Sequence, residues 1–573
     1  MPTTTTSTPR GPRAVDATVD LLVIGSGTGM AAALAATELG LDALVVEKTE
    51  LVGGSTARSG GAFWVPANPA LLADGSTDTL EQGETYLDAV VGDSAPKARR
   101  DAFLRNGPAA VAMLQRLTPL EFFWARGYSD YHPELPGGMA VGRTCEAKPF
   151  NAAVLGPELA RLRGGVVEAP VPMPVTGADY KWMNLMMRKP LVAWPKILKR
   201  ATQGIGGMAV GRHYTAGGQA IAAGLFAGLV SAGVPVWTRT ALTELVVEAG
   251  RVVGAVLTQD GREVTVRARR GVVLAAGGFD HDMAWRHRYQ SPSLLPDASL
   301  GSPGNTGDAI RAGLAVGGEL DLMREAWWFP AVAPAGPDAA PQVLLAERSL
   351  PGSFIVDQDG RRFLNEAEDY MSYGQRVLDL EAAGTPVTQM WLVFDQTYRN
   401  RYMFAGSVYP GAPLPKEWYE AGIAVQADDA RGLAAAAGLP EDDFVAQLER
   451  FNQLASSGVD GDFGRGNSAY DRYYGDPTEQ PNPNLRPLGG KLYAVRVVLS
   501  DLGTCGGLRA DEHGRVVRAA ADASTDGAVV EGLYALGNTA ANAFGTTYPG
   551  AGATIGEGLV YGYIVARHAA SLG

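Results

Sequence analysis

Apolar and polar positions follow two periods along this chain, and the switches between them mark its elements. Residues 19–24 run apolar and β-branched up to Gly25, the pattern of a strand buried on both faces. From residue 30 to 39, alanine and leucine recur at helical spacing, with Gly40 as the stop signal. Residues 43–46 form a second buried run that ends at Glu47. Strand, glycine turn, helix and strand make one βαβ unit.

The same grammar returns far downstream. A short strand is predicted at 235–237. Period-two alternation over 243–248, 251–258 and 263–267, with Ala249-Gly250 and Asp260-Gly261 between, predicts three antiparallel strands. Residues 271–276 read as another buried strand that stops at Gly277-Gly278. Residues 532–537 repeat that strand-to-glycine ending, and 552–571 read as a helix. Three such endings predict an α/β nucleotide-binding domain interrupted by an insertion. The segments expected are a disordered leader at 1–16, the nucleotide domain at 17–303 and 488–573, and an inserted α+β catalytic domain at 304–487.

Composition narrows the class. Of 573 residues, 46% are hydrophobic and 19% charged, which describes a globular chain and excludes a disordered one. The 49 basic against 61 acidic residues give a net charge of −12, which argues against nucleic acid as a partner. Two cysteines, Cys145 and Cys505, cannot build a disulfide framework, and Cys505 reads as a small buried residue. No CxxC or HExxH motif is present among the six histidines, so no metal site is expected. The first 17 residues lack an apolar signal core, and no apolar run is long enough to span a bilayer. A cytoplasmic location is expected.

Candidate chemistry begins at Gly25-Ser26-Gly27-Thr28-Gly29-Met30, a near match to GxGxxG. Gly25 makes the turn, Gly27 lets backbone approach a pyrophosphate, and the following helix N-terminus offers free N–H groups to the anion. Met30 stands where the third glycine belongs, with Gly29 one place early, which predicts a helix set slightly farther from its strand. Glu47 lies 22 residues after Gly25, where a carboxylate reaches ribose hydroxyls. After Lys48 comes Gly53-Gly54-Ser55-Thr56-Ala57-Arg58-Ser59-Gly60-Gly61, small residues that let a flat ring system lie on bare backbone. That loop and the late Gly537-Asn538 turn point to FAD rather than a nicotinamide. The fold class is therefore α/β, a Rossmann-like FAD-binding domain carrying the inserted catalytic domain.

Gly53 to Gly61, the returning strand through Ala276 and Gly277 to Gly278, Asn305-Thr306-Gly307-Asp308, Asn365-Glu366 and Gly537-Asn538 together resemble the fumarate reductase/succinate dehydrogenase flavoprotein superfamily. Within it the chain looks most like the 3-ketosteroid Δ1-dehydrogenase family, over essentially all of 19–566. Members that bind FAD covalently use a histidine in the first glycine loop. None lies between Gly53 and Gly61, so the resemblance implies dissociable FAD. It places Gly54, Ser55, Ser59, Gly60, Gly61, Asn305 and Asp308 beside the cofactor, with Lys48 next to them.

The resemblance also puts Tyr131, Tyr370, Tyr548 and Gly552 on the family's catalytic positions. Desaturating C1–C2 of a 3-ketosteroid removes a proton from C2 and a hydride from C1. Tyr370 is the expected base, assisted by Tyr131, and Tyr548 with the Gly552 N–H is the expected site for the C3 oxygen. The family's Asn-Glu-Ser-x-Pro-Tyr reads Asn365-Glu366-Ala367-Glu368-Asp369-Tyr370 here, setting two extra carboxylates before the base. His132 is expected to be structural. Two readings stand open beside this one: a flavoprotein acting on another ring bond or another cyclic ketone, such as a Δ4-type steroid dehydrogenase, and a flavin-binding electron-transfer protein. The acceptor that reoxidises the flavin is open between a quinone and oxygen. Finally, 173–200 mixes Trp182, Met183, Met186, Met187 and Trp194 with six basic residues. It reads either as a surface helix pair with solvated charges or as an apolar lid touching a membrane surface.

Overall fold

A computed structural model describes residues 15–165, 172–337, 339–520 and 527–572. The expected leader falls almost wholly outside the described residues. The first strand, Ala17–Ile24, leads through Gly25 into the helix Gly29–Glu38 and back to the strand Ala43–Val46. These strands run parallel, as do the Arg262–Leu274 and Val529–Ala535 strands beside them. Val236–Trp237 closes the far edge. The apolar runs work because both faces are covered: Leu21, Leu22, Val23, Val45, Val272 and Val273 are all fully buried.

Two expectations change here. The 263–267 and 271–276 segments form one strand, Arg262–Leu274, rather than two. Its first half pairs antiparallel with Arg251–Gln259, and its second half pairs parallel with Ala17–Ile24. Gly271, at φ +152°, lets it pass Gly532, and a register shift between Val19 and Leu21 absorbs the irregularity. The polar Arg269-Arg270 pair resembles a break only because the strand is turning from one partner to the other. The helix after Gly25 also sits close rather than far. A Cβ on Gly29 would lie 2.8 Å from Ala275 Cβ and 3.0 Å from a Val23 methyl, so Gly29 supplies the close packing and Met30 is buried behind it.

A second, six-stranded sheet carries Ala326–Val332, Ser353–Val356 and Met390–Asp395. Its central strand is Leu492–Thr504, which pairs with Ala326–Val332 and Met390–Asp395, so this sheet reaches past residue 487. The last helix, Ala553–Ser571, is buried along most of its length and packs on the Gly29–Glu38 and Lys97–Leu117 helices. Its N-terminus brings the Tyr548–Gly552 turn to the junction of the two sheets. Among the described residues, no helix is long and apolar enough to cross a membrane.

Candidate active site

The carboxyl ends of the parallel strands define one groove, where ligands of open α/β sheets bind. Gly27, Gly54, Ser55, Ala276, Gly277, Gly537 and Asn538 are half-buried there, while the strands beneath them are buried. At Gly25 and Gly277 the backbone leaves no room for a side chain. A Cβ on Gly25 (φ +112°) would lie 2.2 Å from the Ala275 carbonyl, and one on Gly277 would lie 2.3 Å from Asn305 Oδ1. The Gly27, Gly54 and Gly537 backbones thus meet across the groove with Thr28 between, and a long, flat, phosphate-bearing ligand fits this cradle.

Polar groups around the groove hold it open. Glu47 accepts from Ser26 Oγ at 2.7 Å and from Thr49 Oγ1 at 2.8 Å, bracing the glycine turn against the second strand. Lys48 Nζ pairs with Asp308 at 2.6 Å and donates to Thr306 at 2.9 Å, so the 304–308 loop is tied to the first βα unit. Ser55 Oγ accepts from Asn305 Nδ2 and from the Ser302 N–H, both at 2.9 Å. Residues 54–58, read as a bare loop, form a short helix, Gly54–Arg58. The far end of that segment turns from the strand ends toward the Gly217–Ser231 helix. Gly61 packs on Gly217, Gly60 is exposed, and the Ser59 hydroxyl donates to the Thr56 carbonyl at 2.8 Å.

The tyrosines from three distant segments converge. Tyr131 donates to the Tyr370 hydroxyl at 2.7 Å. Ring centroids are 5.3 Å apart for Tyr131 and Tyr370, 5.1 Å for Tyr131 and Tyr548, and 5.5 Å for Tyr370 and Tyr548. The Gly552 N–H donates to the Tyr548 hydroxyl at 3.3 Å. Gly552 caps the last helix at φ +87°, where a Cβ would lie 2.2 Å from the Ala62 carbonyl, so only glycine fits without strain.

Each tyrosine is placed by buried polar scaffolding. The 128–131 loop is held by Asp130, which accepts from Trp64 Nε1 at 2.8 Å and pairs with Arg143; Arg143 in turn bonds Asp78 at 2.8 Å. The Tyr131 N–H donates to the Pro549 carbonyl at 3.1 Å, joining this loop to the Tyr548 turn. Before Tyr370, Glu366 pairs with Arg362 at 2.7 Å and Arg465 at 3.2 Å, and Asn365 donates to Asp471 at 3.0 Å. The two extra carboxylates have local roles. Asp369 caps the Tyr370–Ala382 helix by accepting from the Ser372 N–H at 3.0 Å. Glu368 lines a separate cleft of about 350 Å³ with Arg376, and burial pushes its carboxyl up to about 8. His132 sits 3.8 Å from Asp369, outside the tyrosine cluster.

Electrostatics follow from burial. The Tyr370 phenol is held well above the ordinary tyrosine range, first by desolvation and then by Tyr548, Tyr128 and Tyr470, with the Tyr131 hydrogen bond working the other way. Tyr548 is pushed up to about 12 by burial, opposed by hydrogen bonds from Tyr370 and the Gly552 backbone. The cluster also abuts the groove: Asn538 Oδ1 accepts from Trp327 Nε1 at 3.0 Å, and the Trp327 ring lies 4.7 Å from Tyr548.

The FAD binding domain family matches residues 20–555. The 3-oxosteroid 1-dehydrogenase of Mycolicibacterium smegmatis is 44% identical over 96% of this chain and 96% of its own. The chain belongs to the 3-ketosteroid Δ1-dehydrogenase family. It is an FAD-dependent oxidoreductase with the flavoprotein fold. The crystal structure of the 3-ketosteroid Δ1-dehydrogenase from Sterolibacterium denitrificans, in complex with 1,4-androstadiene-3,17-dione, superposes with a TM-score of 0.89 at 35% identity, covering 97% of this chain and 100% of that one. A more distant relative, the 4-oxocyclohexanecarboxylate 2-dehydrogenase of Sinomonas cyclohexanicum, is 34% identical over 96% of this chain and 92% of its own.

Several residues of this enzyme's cluster escaped the sequence reading. Tyr470, Tyr473 and Tyr474 pack on the 128–131 loop, with Tyr131 and Tyr470 centroids 4.7 Å apart and Tyr128 stacked on Tyr473 at 4.5 Å. Phe329, two residues after Trp327 on the same strand face, lies 4.8 Å from Tyr370. The available signal was the i, i+3, i+4 spacing of three tyrosines, which reads equally as core packing.

Proposed function

We propose that this enzyme introduces the C1–C2 double bond of a 3-ketosteroid. The observation that carries the reading is the Tyr131–Tyr370 hydroxyl pair at 2.7 Å beside Tyr548 and Gly552, in a chain 44% identical to a 3-oxosteroid 1-dehydrogenase. Gly27, Gly54, Ser55, Ala276, Gly277, Gly537 and Asn538 would hold a dissociable FAD, which supplies the hydride acceptor for C1 when bound. Tyr548 and the Gly552 N–H bind the C3 oxygen. The amide donates to the hydroxyl in the free site, so the hydroxyl proton is free to turn to a carbonyl placed between them. As negative charge grows on that oxygen, both donors tighten and C2–H becomes acidic. Tyr370 takes the C2 proton, with Tyr131 donating to the phenolate, and the π bond forms as the hydride leaves C1. The catalytic segment, read as 304–487, is best closed with the Leu492–Thr504 strand that completes its sheet.

The test is anaerobic mixing with androst-4-ene-3,17-dione. Bleaching of the flavin with formation of the 1,4-dienone supports the reading. Bleaching with a product unsaturated elsewhere favours the Δ4-type alternative, and a flavin that stays oxidised favours an electron-transfer protein.

The 173–200 segment supports contact with a lipid surface. It forms the helices Gly177–Asn184 and Pro190–Ala209. Its charges are partly engaged rather than solvated: Arg188 bonds Asp476 at 2.8 Å and Arg200 bonds Asp179 at 2.6 Å. The outer face of the longer helix leaves Leu191 91%, Trp194 52%, Leu198 65%, Ile205 54% and Met208 58% exposed at helical spacing, beside Lys196 and Lys199. That stripe matches an interfacial helix. The double variant L191S/L198S is expected to lose co-sedimentation with phosphatidylglycerol vesicles and to raise KM for vesicle-borne steroid, with kcat retained. Equal sedimentation of variant and parent would remove the reading.

A further inference from the structure

Asp280 is a buried carboxylate that the reaction above does not use, just past the Gly277-Gly278 end of the returning strand. Several other buried acids of this chain face a guanidinium, as Asp130 faces Arg143, Glu366 faces Arg362 and Glu557 faces Arg99. Asp280 has no ion-pair partner among the described residues. Its neighbour Asp501 takes the guanidinium at hand. Arg286 Nη1 lies 2.7 Å from Asp501 Oδ2 and gives Asp280 only a bond to its main-chain carbonyl, at 3.1 Å. Two carboxylates against one cation leave a negative charge uncompensated. His281 is the other titratable group beside it, and its Nδ1 faces Asp297 at 3.6 Å.

Uncharged donors hold this carboxylate. Oδ1 accepts from the Thr504 N–H at 3.0 Å, and Oδ2 accepts from Asn305 Nδ2 at 2.5 Å. Burial and Asp501 push its pKa up, and these donors oppose them by favouring the charged form. The position matters as much as the charge. A Cβ on Gly503 would sit 3.7 Å from both Asp280 oxygens and 2.5 Å from Asn538 Nδ2, so one glycine separates the carboxylate from an amide that lines the groove. Asn538 also accepts from Trp327, whose ring packs on Tyr548. A ring that takes a hydride from a carbon held among the tyrosines belongs at this end of the groove.

We infer that the Asp280 carboxylate sets the reduction potential of the bound flavin, keeping it low by fixing a negative charge beside the ring end of the groove. Hydride uptake brings negative charge to that end, and a fixed carboxylate opposes it, so electrons are passed on more readily. The inference rests on the reading of the groove as the FAD site and of the tyrosine cluster as the substrate site.

The experiment measures the potential of the FAD-loaded full chain anaerobically at pH 8 against a reference dye. It compares the parent with Asp280→Asn, Asp280→Ser and Asn305→Ala. Retained flavin absorbance reports folding, and either Asp280 variant suffices if the other does not fold. One charge within about 10 Å, at an effective dielectric of about 20, is worth about tenfold in an equilibrium. Both Asp280 variants should therefore shift the reduced-to-oxidised ratio about tenfold toward the reduced form, about 30 mV more positive for a two-electron couple. Asn305→Ala cuts the same tie but keeps the charge, so its potential should not rise. An unmoved potential in the Asp280 variants, or an equal rise in Asn305→Ala, overturns the inference. A parent flavin that reduces with the dye but not with androst-4-ene-3,17-dione would instead overturn the reading of the site beneath it.

Discussion

Tyr370 and its neighbours show what burial does to a phenol. Desolvation holds Tyr370 above the ordinary value of about 10, so it is neutral in the resting enzyme at pH 7. In the proposed role as base the working form is the anion, whose fraction rises tenfold per pH unit below that pKa. We therefore expect kcat/KM to climb with unit slope toward alkaline pH, and a flat profile from pH 6 to 10 would count against a tyrosine base. On the proposed role of Tyr548 as a donor to the C3 oxygen, Tyr548→Phe should lower kcat by about 10²–10³. Gly552→Ala places a Cβ 2.2 Å from the Ala62 carbonyl at φ +87°. A lowered melting temperature together with a fall in kcat is expected, and a variant as stable as the parent would contradict the tight, left-handed turn at Gly552. At this scale the sequence was informative wherever a residue sits in a specific motif, as Tyr548 and Gly552 do. The roles of Glu368 and Asp369 were not legible, because a cap and a cleft wall are made by the fold around them.

Among elements, the strand ends and the helix that follows the glycine turn carry the cofactor groove. Their apolar runs are buried on both faces, which is why they read plainly from the chain. Arg262–Leu274 did not, since a strand that changes partners midway carries polar residues at the change. The tyrosine helix Ala469–Tyr473 was equally hidden, its spacing being that of any packed helix. The Lys48–Asp308 tie between the first βα unit and the 304–308 loop yields a prediction of its own. Both side chains are partly exposed, 28% and 37%, so the pair is worth under about 1 kcal/mol. Lys48→Met should weaken FAD retention a few-fold in equilibrium dialysis with kcat unchanged at saturating FAD. Loss of activity that added FAD does not restore would mean that Lys48 acts beyond holding the loop.

For the molecule as a whole, the nucleotide sheet supplies a rigid groove and the second sheet supplies Trp327, Phe329 and the Tyr370 helix. The last helix joins them, since the turn before it gives Tyr548 and Gly552 to the cluster and its Thr554 hydroxyl donates to Asn538 Oδ1 at 3.3 Å beside the groove. Tyr131, Tyr370 and Tyr548 meet only once both sheets are assembled, so the resemblance to a family, and not any spacing along the chain, put them together. The most direct measurement is stopped-flow bleaching of enzyme-bound flavin by androst-4-ene-3,17-dione in wild type and in Tyr370→Phe. The account predicts rapid bleaching in wild type and a rate lower by about 10²–10⁴ in the variant, with flavin still bound. Bleaching at an undiminished rate in Tyr370→Phe would contradict it.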